Sequence, residues 1–512
     1  MSFAHDVHYA CQVSRRVFVM NPNFRRSNFY SQQIRSLALI REMFSRKELV
    51  ENKSEIIVIG GGITGLTMSA AAITGNVGVT IIEKHAIMHN YSESAHRELH
   101  PNLIFWPFQD PRAFTNLPFL YWSCNSARDV AVAIVDQWKS EFENAASFLK
   151  DEVVEIKESD TGVSISCSSG LERTADYLLI ASGWEKEGFV SKTADDTERT
   201  EQIGPSYWTP YGIAEGDVVV SGSGDGGLID AAYQVFGSKA VAASRTLAYL
   251  LHEKRHRKAI QQAEEEAIKH SLQGSIELAS RKLDDFYKKL SLEKEDAELI
   301  ESLCRSIKLN TQLVYRGASP FIPESAPINK TLYSYIMKGS YNVTSIKGEL
   351  QYDEDGDIIL NSESVIKKLD KTKTIVRHGA KPSAYKLLDG AQIKKLENVR
   401  PDILAQIVPD SYDEEFYLKN PNRRVSACSK YKSELFYDRS KELIEDMIRN
   451  TANIFSIKQH GVNFIRLRGS NTWKIQAREP LRREIRSLFP VKTSQFNVVL
   501  TENDPSIFEA FK

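Results

Sequence analysis

The chain has 512 residues, too many for one ordinary core, so two or three domains are expected. With 42% hydrophobic and 26% charged residues it reads as globular rather than disordered, and a net charge of −1 gives no global attraction to nucleic acid or an anionic membrane. No run of about 18 apolar residues exists, so no segment reads as a membrane span.

Five cysteines (Cys11, Cys124, Cys167, Cys304, Cys428) are scattered singly, with no CxxC pair. That excludes a dithiol of the usual spacing and a zinc ribbon, and no metal site is expected. Isolated thiols fit a reducing compartment, so the expected location is cytoplasmic. Residues 1–46 carry Arg15, Arg16, Arg25, Arg26, Arg35, Arg41 and Arg46 against only Asp6 and Glu42. Such a bias suits a mitochondrial transit peptide. The helical spacing of Ile34, Leu37, Ile40, Met43 and Phe44 instead favours a helix packed on the next domain, and residues 1–54 are taken as an N-terminal helical extension.

The first motif follows at once. EIIVIG (residues 55–60) is an apolar run ending in glycines, then comes a small-residue helix pattern and the second strand VGVTIIEK (residues 77–84). Gly60, Gly62 and Gly65 form GxGxxG between strand and helix, with Gly61, Ile63 and Thr64 between them. Gly60 permits the tight turn, Gly62 lets the backbone approach a pyrophosphate, and Gly65 lets helix pack on strand. The helix N-terminus then offers unpaired N–H groups to phosphates. Glu83, 18 residues after Gly65 and next to Lys84, is placed to accept hydrogen bonds from ribose hydroxyls.

In this arrangement the chain resembles the two-dinucleotide-binding flavoproteins, the group of glutathione-reductase-like and flavin-monooxygenase-like enzymes. GGGITGL with VTIIEK is similar to the FAD form of the fingerprint. ADYLLIASGW (residues 175–184) is similar to the strand and small-small-Gly turn that closes the FAD domain. The resemblance covers residues 55–385. It implies that Ala181, Ser182 and Gly183 pass near the FAD phosphates, and that Val153 and Val154 meet adenine through backbone groups.

Between these segments lies ESAHRELHPNLIFWPFQDP (residues 93–111), aromatic and irregular. Related flavoproteins place residues near the flavin here, which makes Arg97 a candidate phosphate contact and His96 or His100 a candidate proton shuttle or flavin donor. Trp106 and Phe108 suit a stack on the ring or a core.

A second strand-loop-helix, VVVSGSGDGGLIDAAYQVFG (residues 218–237), carries Gly222, Gly224, Gly226 and Gly227, with Asp225 among them. The resemblance makes this the NAD(P) site. KAVAASR (residues 239–245) reads as the next strand, and Ser244-Arg245 at its end suits the 2′-phosphate of NADP better than NAD. Asp225 has two readings: a ligand-excluding charge, or a cap on a helix N-terminus. Residues 246–308 read as a charged helical insertion. Strands resume in TQLVYRG, NVTSIKG and DIIL and end in KTIVRHG (residues 373–379), where the small pair before glycine is replaced by Arg377-His378. His378 is the second catalytic candidate. The Gly-Asp motif expected after that turn is replaced by LLDGAQ (residues 387–392). From about residue 385 a mixed region begins, with helix near residues 438–450 and strands in VNFIRLRG and FNVVL.

The expected fold is α/β: two Rossmann-like dinucleotide-binding domains, with a helical insertion at 246–308 and a C-terminal α+β region. The expected domains are residues 55–216 for FAD, 217–384 for NAD(P) and 385–512 of unassigned role. The expected function is an FAD-dependent oxidoreductase passing hydride from NADPH (or NADH) to flavin and on to an unknown small-molecule acceptor. The alternative is a nucleotide sensor that keeps the fold and acts through a protein partner at 246–308 or 385–512. Homo-oligomerisation stays open.

Overall fold

The computed structural model describes residues 2–418, except for 92–96, 112–114, 116, 186–188, 193–197, 202, 205–206, 209–216, 253–254, 305–309, 340, 354–356, 364–365 and 410–411. Beyond 418 it describes four short strands.

The first unit starts with α1 (Phe3–Cys11), β1 (Val17–Val19) and α2 (Phe29–Ser45), then runs through β2 (Glu55–Ile59), α3 (Ile63–Thr74) and β3 (Gly78–Ile82). It continues with β4 (Glu98–Leu99), β5 (Asn125–Ser126), α4 (Ala127–Glu141) and β6 (Ser147–Leu149). Three antiparallel strands follow, β7 (Val153–Glu158), β8 (Val163–Cys167) and β9 (Glu172–Ala175), before β10 (Tyr177–Ile180) returns to the main sheet. The main sheet has the order β1-β10-β2-β3-β6 and every pairing is parallel. Its central strands are apolar on both faces because helices and the β7–β9 sheet cover them.

Residues 1–54, expected to be a helical extension, therefore contribute the edge strand of this sheet as well as two helices. Asn28 and Ser31 form a capping box that starts α2, each backbone N–H reaching the other's side chain at 2.8 Å. Ile34, Leu37, Ile40 and Met43, all buried, turn α2 onto α3.

A hairpin, β11 (Phe189–Lys192) and β12 (Glu198–Glu201), precedes the second unit. There β13 (Val218–Ser221) leads into α5 (Asp225–Phe236), α6 (Ala240–His252), α7 (Arg255–Leu272), α8 (Ile276–Lys289) and α9 (Lys294–Glu301). The chain returns as β14 (Thr311–Tyr315), α10 (Pro327–Lys338), β15 (Val343–Tyr352), β16 (Ile358–Ser362), β17 (Ile366–Lys368) and β18 (Thr374–Val376). The order is β17-β16-β15-β14-β13-β18, with β18, β13, β14 and β15 mutually parallel.

Here one expectation is corrected. KAVAASR is not a strand: it opens α6, and the strand beside β13 is β14, so residues 225–310 form one long crossover. Ala240, Ala243, Leu247, Ala248 and Leu251 are all buried at helical spacing, and alanine favours helix over strand. The helical region thus begins ahead of residue 246.

After β18 the chain comes back to the first unit through α11 (Gly390–Glu397), α12 (Pro401–Leu404) and α13 (Glu414–Leu418). Leu396 packs beneath the first sheet, and Val399, Ile403, Leu404, Val408 and Tyr417 join its helical core. The Tyr417 hydroxyl donates to the Leu37 carbonyl at 2.7 Å. The expected helix at 438–450 lies outside the described residues. VNFIRLRG holds β19 (Asn463–Arg466), which pairs with β20 (Trp473–Gln476); FNVVL holds β21 (Phe496–Asn497), and β22 (Ile507–Ala510) joins both.

Candidate functional site

Both parallel sheets end in a glycine loop of the same construction. In the first, the Gly60 N–H donates to the Ile82 carbonyl at 2.9 Å, and the Ala181 N–H to the Ile59 carbonyl at 2.8 Å. Gly60 has φ +111°, and a Cβ there would stand 2.4 Å from the Ala181 carbonyl oxygen. A Cβ at Gly65 would lie 2.0 Å from the Gly60 carbonyl oxygen, so the helix could not seat on the strand. Nothing lies within 4 Å of the Cβ position of Gly62, which faces open space.

Gly62 is the N-cap of α3 and no side chain caps that helix, so its first N–H groups are available to an anion. The cradle gathers residues 60–65, Glu83 and residues 181–183 at the carboxyl ends of β2, β3 and β10. Glu83 braces it: one carboxylate oxygen accepts the Gly61 N–H and the other the His85 N–H, both at 2.8 Å. A carboxylate accepts about four hydrogen bonds, so capacity remains for a ribose hydroxyl. Lys84 stands at the surface 3.6 Å from Glu152, and Val154 is exposed on β7.

The second loop repeats the register. The Gly222 N–H donates to the Val314 carbonyl at 2.9 Å and the Arg377 N–H to the Ser221 carbonyl at 2.7 Å. Gly222 (φ +135°), Gly224 and Gly227 correspond to Gly60, Gly62 and Gly65: a Cβ would clash at the first and third, and the second is open. Gly224 is the N-cap of α5, again without a side-chain cap. The same correspondence pairs Ala181, Ser182 and Gly183 with Arg377, His378 and Gly379, and Glu83-Lys84 with Tyr315-Arg316.

That last pairing corrects the Ser244-Arg245 expectation. Both belong to α6 rather than to a strand end. Arg245 Nη1 lies 3.3 Å from Glu98 and 3.5 Å from Cys124 Sγ, and Ser244 is buried. The residue after the neighbouring strand is Arg316, exposed and 3.1 Å from Glu349. TQLVYRG was visible as a strand, but the apolar KAVAA run stood before it and absorbed the role.

Asp225 does not point into its own loop. Its Oδ1 accepts the Ala326 N–H at 2.7 Å and Asn329 Nδ2 at 2.8 Å, so it caps the start of α10. The Ser325 hydroxyl ties the same segment to the Ser223 carbonyl at 2.9 Å. Desolvation raises the Asp225 carboxyl above its ordinary value against the pull of these two donors. Gly226 meets the Arg377 side chain, whose Cδ would stand 3.4 Å from a Cβ there.

Arg97 is engaged by the second unit. Its Nη2 lies 2.5 Å from Asp230 Oδ1 on α5, and Arg377 Nε lies 2.7 Å from Oδ2. Arg97 is also sandwiched between the Tyr207 and Tyr233 rings at 4.2 and 4.4 Å, and its Nε donates to the Tyr207 carbonyl. All three charged side chains are at most 2% exposed. Sequence reading missed Asp230, because nothing in LIDAAYQ separates a buried counter-ion from a helix-surface acid.

His96 lies outside the described residues. His100 braces a turn. Its Nδ1 accepts the Leu103 N–H at 3.1 Å and the Asn102 N–H at 3.3 Å, and burial holds it well below the ordinary imidazole range. His378 Nε2 is 2.8 Å from the Ser221 hydroxyl, at the carboxyl end of β13. Burial, with a smaller push from Arg316, lowers its pKa to about 4, so the ring is neutral at neutral pH.

Among the described residues there is no cluster of three metal-ligating side chains, and no helix is long and apolar enough to cross a membrane. No family model matches the sequence, and no curated protein matches it. Several solved structures are distantly similar. The bacillithiol disulfide reductase Bdr (YpdA) from Staphylococcus aureus is 13% identical, with TM-score 0.38, over 65% of this chain and 78% of that one. Thioredoxin reductase from T. acidophilum is 13% identical, with TM-score 0.32, over 66% and 84%. Thioredoxin reductase from Lactococcus lactis is 10% identical, with TM-score 0.36, over 75% and 100%.

Proposed function

We propose that the chain is an FAD-dependent oxidoreductase that takes reducing equivalents from NADPH or NADH and passes them to a small-molecule acceptor. The observation that carries this reading is the repetition of one cradle in two parallel sheets. Each has a clash-limited glycine at the turn, an open glycine, an uncapped helix N-terminus and a closing turn hydrogen-bonded in the same register. The first fits FAD: a bulk-free approach at Gly62, N–H donors from α3, and the Glu83 carboxylate for a ribose. The second fits the nicotinamide dinucleotide, because Asp225 is turned to α10 and leaves the α5 N-terminus to an anion. Tyr315 stands where an acid would select NAD, and Arg316 beside it supports a preference for the 2′-phosphate of NADP. FAD when bound supplies two-electron redox chemistry; the chain positions, orients and excludes water.

A second reading is favoured by one observation. Arg377 replaces the small residue that Ala181 supplies in the first cradle, and its side chain is pinned to Asp230 across the second loop. A protein built this way also suits nucleotide sensing through a partner, without turnover.

Absorbance decides between them. The oxidoreductase reading expects a yellow protein with flavin absorbance near ~450 nm that bleaches under NADPH without oxygen. Arg316→Ala should weaken NADPH binding about tenfold more than NADH binding. Protein that cannot be loaded with FAD would overturn the first reading. Protein that holds FAD and NADPH yet never bleaches would select the second.

A further inference from the structure

Arg26 stands in the segment between β1 and α2, and its backbone is left-handed, with φ +52°. A non-glycine residue there is strained, and such strain is kept where the side chain must be aimed. Only 7% of that side chain is exposed, and the guanidinium lies 4.8 Å from the centroid of the Phe108 ring. Its Nη1 and Nη2 are buried and make no hydrogen bond among the described residues. The nearest carboxylate, Glu264 Oε2, is 4.0 Å away and already committed. Glu264 accepts Lys330 Nζ at 2.7 Å and the Tyr287 hydroxyl at 2.7 Å.

The surroundings place this cation beside the second cradle. Arg25 Nη2 lies 3.2 Å from Glu324, whose neighbour Ser325 donates to the Ser223 carbonyl inside the glycine loop. Arg26 also acts electrostatically on Asp225, the first residue of α5, whose Oδ1 is turned to α10. Two donors with unused capacity therefore come from different parts of the chain and both bear on Asp225, one along the chain and one through its charge. One is the uncapped N-terminus of α5, the other a buried guanidinium without a hydrogen-bonded acceptor. A buried fork of this kind is stable only once an anion satisfies it.

We propose that Arg26 is a phosphate-binding residue of the second cradle, supplied by the N-terminal segment of the first unit. Its guanidinium takes a pyrophosphate oxygen of the dinucleotide seated on Gly222 and Gly224. This rests on the reading of the second loop as a dinucleotide site.

The test is calorimetric titration of the full chain with NADPH and with inorganic pyrophosphate, for wild type and Arg26→Asn, since asparagine tolerates the left-handed backbone. Loss of one charge-assisted pair should weaken both ligands about 10- to 100-fold. The thermal midpoint without ligand should hold or rise, because strain and a buried cation are removed together. Unchanged affinity for both ligands in Arg26→Asn would overturn the proposal. A wild type that binds neither ligand would overturn the dinucleotide reading of the second loop, and this proposal with it. If the variant does not fold, hydrogen exchange on the wild type decides. NADPH should slow exchange in residues 22–28 as well as 222–228; protection confined to 222–228 would overturn the role of Arg26.

Discussion

Asp230 shows how one side chain can hold two units together. It is fully buried and touches two guanidinium groups, one with each carboxylate oxygen: Arg97 from the first unit and Arg377 from the closing turn of the second. Removing one partner of a buried charge network leaves the others desolvated and facing each other. Asp230→Ala should therefore cost about 3–5 kcal/mol, read as a lower denaturant midpoint. Asp230→Asn, which retains an acceptor, should cost less. The glycines of both loops were readable from the sequence as a motif: Gly65 and Gly227 avoid the nearby carbonyls of Gly60 and Gly222, although Gly60 and Gly222 themselves face the distant carbonyls of Ala181 and Arg377. Asp230 was not, because its role depends on residues more than a hundred positions away.

At the scale of elements, α6 and α10 explain most of the departures from expectation. KAVAASR has the apolar density of a strand, but its alanines bury at helical spacing against α5 and α10. Period alone does not separate a short buried helix from a short buried strand, and only the pairing of β14 with β13 settles which follows. The same rearrangement gives Asp225 its place. It caps α10, a helix of 12 residues whose N-terminal Ala326 and Pro327 offer no side-chain acceptor of their own. Asp225→Ala should cost about 1 kcal/mol through the lost cap, seen as a lower thermal midpoint. Exchange of the α10 amides should rise before that of β13.

In the whole molecule the N-terminal segment is structural material of the first unit. Phe18, Tyr30, Leu37, Leu39, Ile40 and Met43 are each at most 2% exposed. Each buries about 1.5–3 kcal/mol of apolar surface, together on the order of 10 kcal/mol, comparable with the entire stability of a domain. Deleting residues 1–54 should therefore abolish folding of the first unit, checked by circular dichroism and solubility of the truncated chain. A truncated protein that stays folded would show the segment to be an appendage after all.

The sequence by itself determined both glycine loops. In each, the leading strand, the glycines and the helix start lie within about ten residues of one another, and local sterics and backbone polarity leave few alternatives. It also showed the strands whose apolar runs are bounded by turns. Tertiary structure alone decided which strand neighbours β13, which acid a buried arginine meets, and where the Asp225 carboxylate points. Those choices are made by packing between distant segments, where burial makes an unpaired charge costly and so fixes its partner.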